Sequence, residues 1–360
     1  MTASATKALL LAATQAANRK IFQKTKIPSM VSFNEIALQL HDGMTLAGQR
    51  WTYGKVNSND NGKSTTLSPP HKILALHGWL DNSASFHYLA PHLVDKLGGQ
   101  AELVALDLPG HGLSSHKSLD GPPTLLSDGV YYVAEALDKL GWTKARNESG
   151  ITITLIGHSM GGGLSLMYAA AFPEYINKLV LLDIYSPLPG EHDKSTSLIR
   201  SHIEARQKGP RPNRVYKSLE QAIQTRQMTA AKAPGKQWLS LEAATELVTR
   251  ATMPVTDEDG AEGFSFRHDT RLLWPSLQHL MPEQIDSMMK SVESPTCILA
   301  AEHGWPFKQE RVNKAVEIIQ PRVHKILPGS HHLHADPETA EAVLEEVYHF
   351  VAEKDLTYVL

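Results

Sequence analysis

The chain of 360 residues has a single cysteine, Cys297. One thiol cannot close an internal disulfide, which excludes a small secreted scaffold stapled by such bonds. Long hydrophobic runs are missing too. None reaches the roughly 18–20 residues that a helix needs to span a bilayer, so no integral membrane segment is expected. Neither charge dominates: 35 Lys and Arg stand against 38 Asp and Glu, a net charge of −3. A nucleic-acid-binding surface usually shows as a strong basic surplus, so no nucleic-acid partner is expected. No internal repeat or low-complexity tract signals a fibre or an array. What is present, 42% apolar and 20% charged residues, is the composition of a packed globular protein. Length suggests two domains at about 150 residues each, although α/β folds often run longer as one unit.

Acidic residues are absent before Glu35, whereas Lys7, Arg19, Lys20, Lys24 and Lys26 are basic. The opening MTASATKALLLAATQAANRK is rich in Ala, Ser and Thr and suits a basic amphipathic helix, the profile of a mitochondrial transit peptide. Its apolar part is short for a secretory signal. A frayed terminal helix with no address fits equally well. Residues 1–30 therefore read as an N-terminal extension and candidate targeting segment, and the expected location is intracellular, cytoplasmic or mitochondrial. The C-terminal TYVL matches no peroxisomal or endoplasmic-reticulum signal.

Two alternating segments, 31–40 and 44–53, flank His41-Asp42-Gly43 and predict a β-hairpin with Asp-Gly in its turn. After a polar loop at 56–72 come six short apolar runs: KILALHG at 72–78, ELVALDL at 102–108, ITITLIG at 151–157, KLVLLDI at 178–184, TCILAA at 296–301 and VHKIL at 323–327. Such runs fit strands buried on both faces of a parallel sheet. Helical patterns at 86–97, 124–141, 160–172, 308–319 and 337–353 lie between or after them. Strand alternating with helix predicts an α/β fold with right-handed crossovers. The alternation breaks over 187–295, which shows helical patterns and no clear buried strand, and is read as a helical cap. The expected layout is thus a core in two parts, 31–186 and 296–360, with the cap between them.

The strongest chemical signal is ITLIGHSMGGG at 153–163. Here Gly157-His158-Ser159-Met160-Gly161 is G-x-S-x-G directly after a strand and directly before a helix, the setting a nucleophile elbow requires. The turn lifts a serine hydroxyl above the sheet edge, and the helix aims its first amides at developing negative charge. The bland alternative, a glycine-rich turn with an incidental serine, lacks a reason for that setting. Upstream, His77-Gly78 closes another strand and Trp79 follows, so the amides of Trp79 and Met160 are candidates for an oxyanion hole. In ALDLPGHGLSS, 105–115, Asp107 is a potential catalytic acid, but a role in tying down its own turn is the better reading.

HGWLDNSASF, DLPGHGLS, GHSMGGG and PGSHHLHADPE, in this order and spacing, resemble the α/β-hydrolase superfamily and, within it, the serine hydrolase-like proteins of the capped esterase and haloalkane-dehalogenase-like branch. The likeness spans about residues 31–354. It implies the α/β-hydrolase fold, a mostly parallel sheet flanked by helices with a helical cap insertion, and a catalytic order of serine, acid, histidine. It places the base after the last strand, at His331, with His332 and His334 as rivals one register error away. Three histidines so close also suit a metal, but no second cluster completes a coordination sphere, and neither metal nor organic cofactor is implied. Relatives commonly carry the acid as an Asp in a Gly-rich turn after the strand at 296–301. This chain has LAAEHGWPF, with Gly304 at the matching position and Glu302 two residues earlier. Other relatives take the acid from the end of the preceding core strand, which here is Asp183. Asp183 is therefore the expected acid and Glu302 the alternative.

Together these imply a serine hydrolase that cleaves a carboxylic ester or related acyl bond of a small-molecule substrate through an acyl-enzyme. A serine nucleophile argues against dehalogenase and epoxide hydrolase chemistry, which use a carboxylate there. A catalytically inactive binding protein on the same scaffold, and a cofactor-free lyase, are the alternatives. Ten Lys or Arg against four Asp or Glu over 191–241 suggest either an anionic substrate group or, more simply, a solvated basic face.

Overall fold

The computed structural model describes residues 27–54, 71–119, 126–144, 151–256, 260–276 and 279–353. Most of the basic N-terminal extension, residues 1–26, lies outside the described residues. Eleven strands are present among those described. Eight form one sheet: β1 (Val31–Gln39), β2 (Thr45–Tyr53), β3 (His71–Leu76), β4 (Ala101–Leu106), β5 (Thr152–His158), β6 (Lys178–Leu182), β10 (Thr296–His303) and β11 (Val323–Ser330), in the order β1-β2-β4-β3-β5-β6-β10-β11. The hairpin at one edge is antiparallel, with Gly43 at its turn in the left-handed region (φ 82°). β2 also runs antiparallel to β4, and every later pairing is parallel.

The inner apolar runs become strands because both their faces meet helices; the last, VHKIL in β11, is instead an edge strand with His324, Lys325 and Ile326 exposed, so the burial expected for it on both faces is not found. Alternate residues of β3 divide between the two: Leu74 and Leu76 join one buried cluster, Ile73 and Ala75 the other. The first cluster packs under helices α2 (Leu126–Lys139), α3 (Met160–Ala171), α7 (Pro282–Lys290) and α8 (Gln309–Ile319). The second packs under α1 (Leu89–Leu97) and α9 (Pro337–Ala352), through Leu89, Leu93, Val343, Val347 and Phe350. Each such side chain, fully withdrawn from water, contributes about 1.5–3 kcal/mol. This is the α/β-hydrolase fold.

Between β6 and β10 the chain leaves the sheet. That segment holds α4 (Ser195–Lys208), α5 (Leu219–Ala231), α6 (Leu241–Ala251) and α7, but it is not purely helical. β7 (Val215–Tyr216), β8 (Thr252–Thr256) and β9 (Glu262–Phe266) form a small antiparallel sheet in the order β7-β9-β8. β7 is too short to show a period, and Pro254 interrupts β8. The readable signal was the alternating TMPVT and EGFSF around Asp259-Gly260, the same kind of hairpin mark seen at 41–43. Among the described residues no helix is long and apolar enough to cross a membrane.

Candidate active site

Ser159 sits between β5, at the centre of the sheet, and α3. Its backbone is strained, φ 50° and ψ −120°, and its amide donates to the Leu182 carbonyl of the neighbouring strand at 3.1 Å. The glycines around it are required by contact. A Cβ on Gly157 would stand 2.3 Å from the Cα of Gly162, and one on Gly161 would stand 2.2 Å from the Leu76 carbonyl oxygen. Four non-glycine residues among those described have positive φ, and three of them, Leu80, Ser159 and Asp183, lie at this site. Such conformations cost about 1–3 kcal/mol each and persist only where the surroundings dictate them. Met160 opens α3, so its amide has no partner inside the helix. Trp79 follows β3 at the same sheet edge. Its indole, half exposed, donates to the Leu272 carbonyl at 3.3 Å. His77 stiffens that exit: its Nδ1–H donates to the Gly78 carbonyl at 2.7 Å, and its Nε2 accepts the Leu108 amide at 2.9 Å. Burial lowers its pKa, which keeps the ring neutral for this double role.

Asp183 directly follows β6 and is buried. Its Oδ1 accepts the Ala301 amide at 2.9 Å; its Oδ2 accepts the Trp305 amide at 2.9 Å and faces Nδ1 of His331 at 2.5 Å. Gly304 borders this carboxylate so closely that a Cβ there would lie 2.1 Å from Asp183 Oδ1. Glu302 stands exposed on β10 and has no hydrogen bond to His331 among the described residues.

The peptide of His331 is gripped on both sides. Its amide donates to Oε1 of Gln237 at 2.9 Å, and its carbonyl accepts from Nε2 of His158 at 2.8 Å. Burial and the neighbouring rings of His334, His331 and His332 drive the His158 pKa well below its ordinary value, so that ring is a neutral donor. The three late histidines part company. His331 meets Asp183, His332 meets Asp81 through Nε2 at 3.1 Å, and His334 is fully buried between the His158 ring (4.3 Å) and Phe86 (5.2 Å). Among the described residues no three His, Cys, Asp or Glu side chains are disposed to hold a metal ion. Asp107 is buried behind the site. It accepts the amides of Ser83 and Leu113, both at 2.8 Å, and the Nε of buried Arg250 at 3.0 Å. Burial would raise its pKa, but Arg250 and these amides hold it low.

Ser159, Met160, Trp79 and His331 all line one cavity of about 1250 Å³, above the roughly 300–1,000 Å³ usual for small-molecule sites. Met167, Ile184, Leu188, Phe266, Met281 and Phe307 help to make most of its wall apolar, and Arg226, Thr225 and Gln237 bring polar groups from the segment between β6 and β10. Sequence reasoning missed Gln237, Arg226 and Arg250. Asp81 lay in plain view inside HGWLDN but had no partner within reach along the chain.

This fold, with a strained serine between strand and helix and a histidine held by a buried carboxylate, is that of a hydrolase. The chain belongs to the α/β-hydrolase fold family, whose model matches residues 72–337. Its relatives narrow the likeness to serine hydrolase-like proteins. It is 30% identical to the serine hydrolase-like protein of Danio rerio, over 76% of this chain and 80% of that one. It is 27% identical to a serine hydrolase-like protein of Dictyostelium discoideum, over 90% and 83%. Among solved structures it is similar to a hypothetical protein of Pseudomonas aeruginosa PAO1, with 33% identity, a TM-score of 0.70 and coverage of 89% and 99%.

Proposed function

We propose that the protein hydrolyses a carboxylic ester, or a closely related acyl bond, of a sizeable apolar small molecule through Ser159, His331 and Asp183. The observation that carries this reading is the Asp183–His331 contact of 2.5 Å at the rim of the cavity that Ser159 lines. A carboxylate on Nδ1 fixes the proton there, so Nε2 of His331 is the ring's free base. It removes the Ser159 proton as the oxygen attacks the acyl carbon. Asp183 stabilises the imidazolium so formed. The amides of Trp79 and Met160 hold the oxyanion, each worth about 3 kcal/mol in comparable sites. Collapse expels the alcohol, which takes the proton from His331. Water then gives its proton to His331 and attacks the acyl-serine, and His331 returns that proton to the departing Ser159 oxygen as the acid is freed. An inactive binding protein would have no need of a carboxylate on that ring, and the contact argues against that alternative.

A fluorophosphonate probe on the purified chain tests the reading. Wild type is expected to be labelled and to turn over p-nitrophenyl esters, and Ser159→Ala, folded by circular dichroism, to do neither. Wild type that neither labels nor hydrolyses any ester would overturn it.

A further inference from the structure

Several polar groups of the cavity are engaged within the protein. The Gln237 amide donates to the carbonyls of Pro234 (3.0 Å) and Gly304 (2.9 Å) and accepts the His331 amide. The hydroxyls of Thr225 and Thr229 donate back into α5, each at 2.8 Å. His331 is held by Asp183, and His158 donates to the His331 carbonyl. Arg226 differs. It projects from α5 with its side chain 17% exposed, and only its Nη2 is used, on Oδ1 of Asp81 at 2.7 Å. Nε and Nη1 meet no acceptor among the described residues, and the residue lines the cavity together with Ser159 and His331. It is also close to the chemistry. Its Nη2 is 3.4 Å from Nε2 of His332, whose ring centre is 5.5 Å from that of His331.

The charge of this group is already balanced. Asp81 is buried and its other oxygen accepts a hydrogen bond from His332 Nε2. Burial alone would raise its pKa, but His332 and Arg226 beside it hold the carboxyl well below its ordinary value, so it is ionised. One guanidinium and one carboxylate thus cancel inside the wall. The remaining N–H groups are donors without net charge. They suit a neutral oxygen, a hydroxyl or a carbonyl, whereas a carboxylate buried there would lack a counter-charge. Lys232, the other cation at the cavity, is exposed.

We infer that Arg226, braced by Asp81 and His332, is a substrate-recognition residue, and that the natural substrate is an apolar acyl ester bearing a second, neutral oxygen acceptor within a few bonds of the one cleaved. The inference rests on the ester-hydrolase reading. Its test compares methyl decanoate with the methyl ester of β-hydroxydecanoate, glycerol monodecanoate and the methyl ester of β-carboxydecanoate. Wild type, Arg226→Met and Arg226→Lys are assayed in parallel, with fluorophosphonate labelling as the control for the catalytic machinery. Wild type is expected to favour at least one of the hydroxylated esters over methyl decanoate, and to disfavour the carboxylate-bearing one. Arg226→Met should lose about 10- to 100-fold more kcat/KM on the favoured ester than on methyl decanoate, the weight of a hydrogen bond to a charged group. Arg226→Lys keeps the ion pair with Asp81 but not the planar fork, and should lose most of the same preference while folding normally. Equal losses on all esters, restored by lysine, would make Arg226 a strut and overturn the inference. So would wild type with no preference, or with a preference for the carboxylate. Intact labelling with such a result leaves the hydrolase reading standing, whereas no labelling and no turnover removes both.

Discussion

Asp183 has its two oxygens committed to three donors: the amides of Ala301 and Trp305 and the ring of His331. An asparagine there cannot satisfy all three, because one of its two terminal atoms is itself a donor. Asp183→Asn should therefore favour the wrong tautomer of His331 and lower kcat by about 10⁴-fold, as in a model triad. Glu302→Gln, on an exposed side chain away from the ring, should stay within a few-fold of wild type. Collapse of Glu302→Gln with normal turnover in Asp183→Asn, measured on any hydrolysed ester, would reverse the assignment. Gly304 adds a condition of its own. A Cβ there would stand only 2.1 Å from the Asp183 carboxylate, so in this geometry Asp183 as the proposed acid requires position 304 to stay bare.

The element that joins the segment between β6 and β10 to the chemistry is the short stretch before α6. Gln237 accepts the His331 amide, the Trp238 carbonyl accepts the Ser330 hydroxyl at 2.8 Å, and the Ser240 amide donates to Asp336 at 2.8 Å. These bonds stitch 237–240 to the segment that carries His331, and Gln237 also reaches the Gly304 turn beside Asp183. Gln237→Leu removes both bridges. We expect kcat to fall about 10-fold or more, as when a positioning contact slackens, with KM little changed and a shifted pH dependence of kcat/KM. Unchanged kcat and pH profile would make the stitch architectural only. Little of this was legible in the sequence. The buried runs from KILALHG to TCILAA were, because a strand covered on both faces must be apolar throughout, and that shows locally; VHKIL was read the same way but lies exposed at the sheet edge. The elbow was legible because its glycines are demanded by contacts between neighbours. Gln237 and His331 lie 94 residues apart, Arg226 and Asp81 145, and Arg250 and Asp107 143. No period or motif links a polar residue to a partner that only the folded chain supplies. Asp183 was within reach of reasoning because it stands one residue past a buried run, where parallel sheets collect their functional groups.

At the scale of the whole molecule, Arg250 joins three parts. From α6 its guanidinium meets Asp107 at the end of β4 and, through Nη1, both oxygens of Glu35 in the edge hairpin at 2.8 and 2.9 Å. It is 1% exposed. Arg250→Met would strand Asp107 as an unpaired buried carboxylate, which costs about 3–5 kcal/mol where it has been measured. A large drop in the urea midpoint is expected, and a midpoint within experimental error of wild type would show that the cluster is not a structural tie. The stitch at 237–240 has a further consequence for anyone who would treat 187–295 as an exchangeable part. A chimera whose exchanged segment has no glutamine at this place would retain Ser159 and Asp183 but lose the bond that holds the His331 amide. On the proposed reading, then, substrate range and turnover are not separate dials in this chain, and recombination that changes one at this junction should bring the other with it.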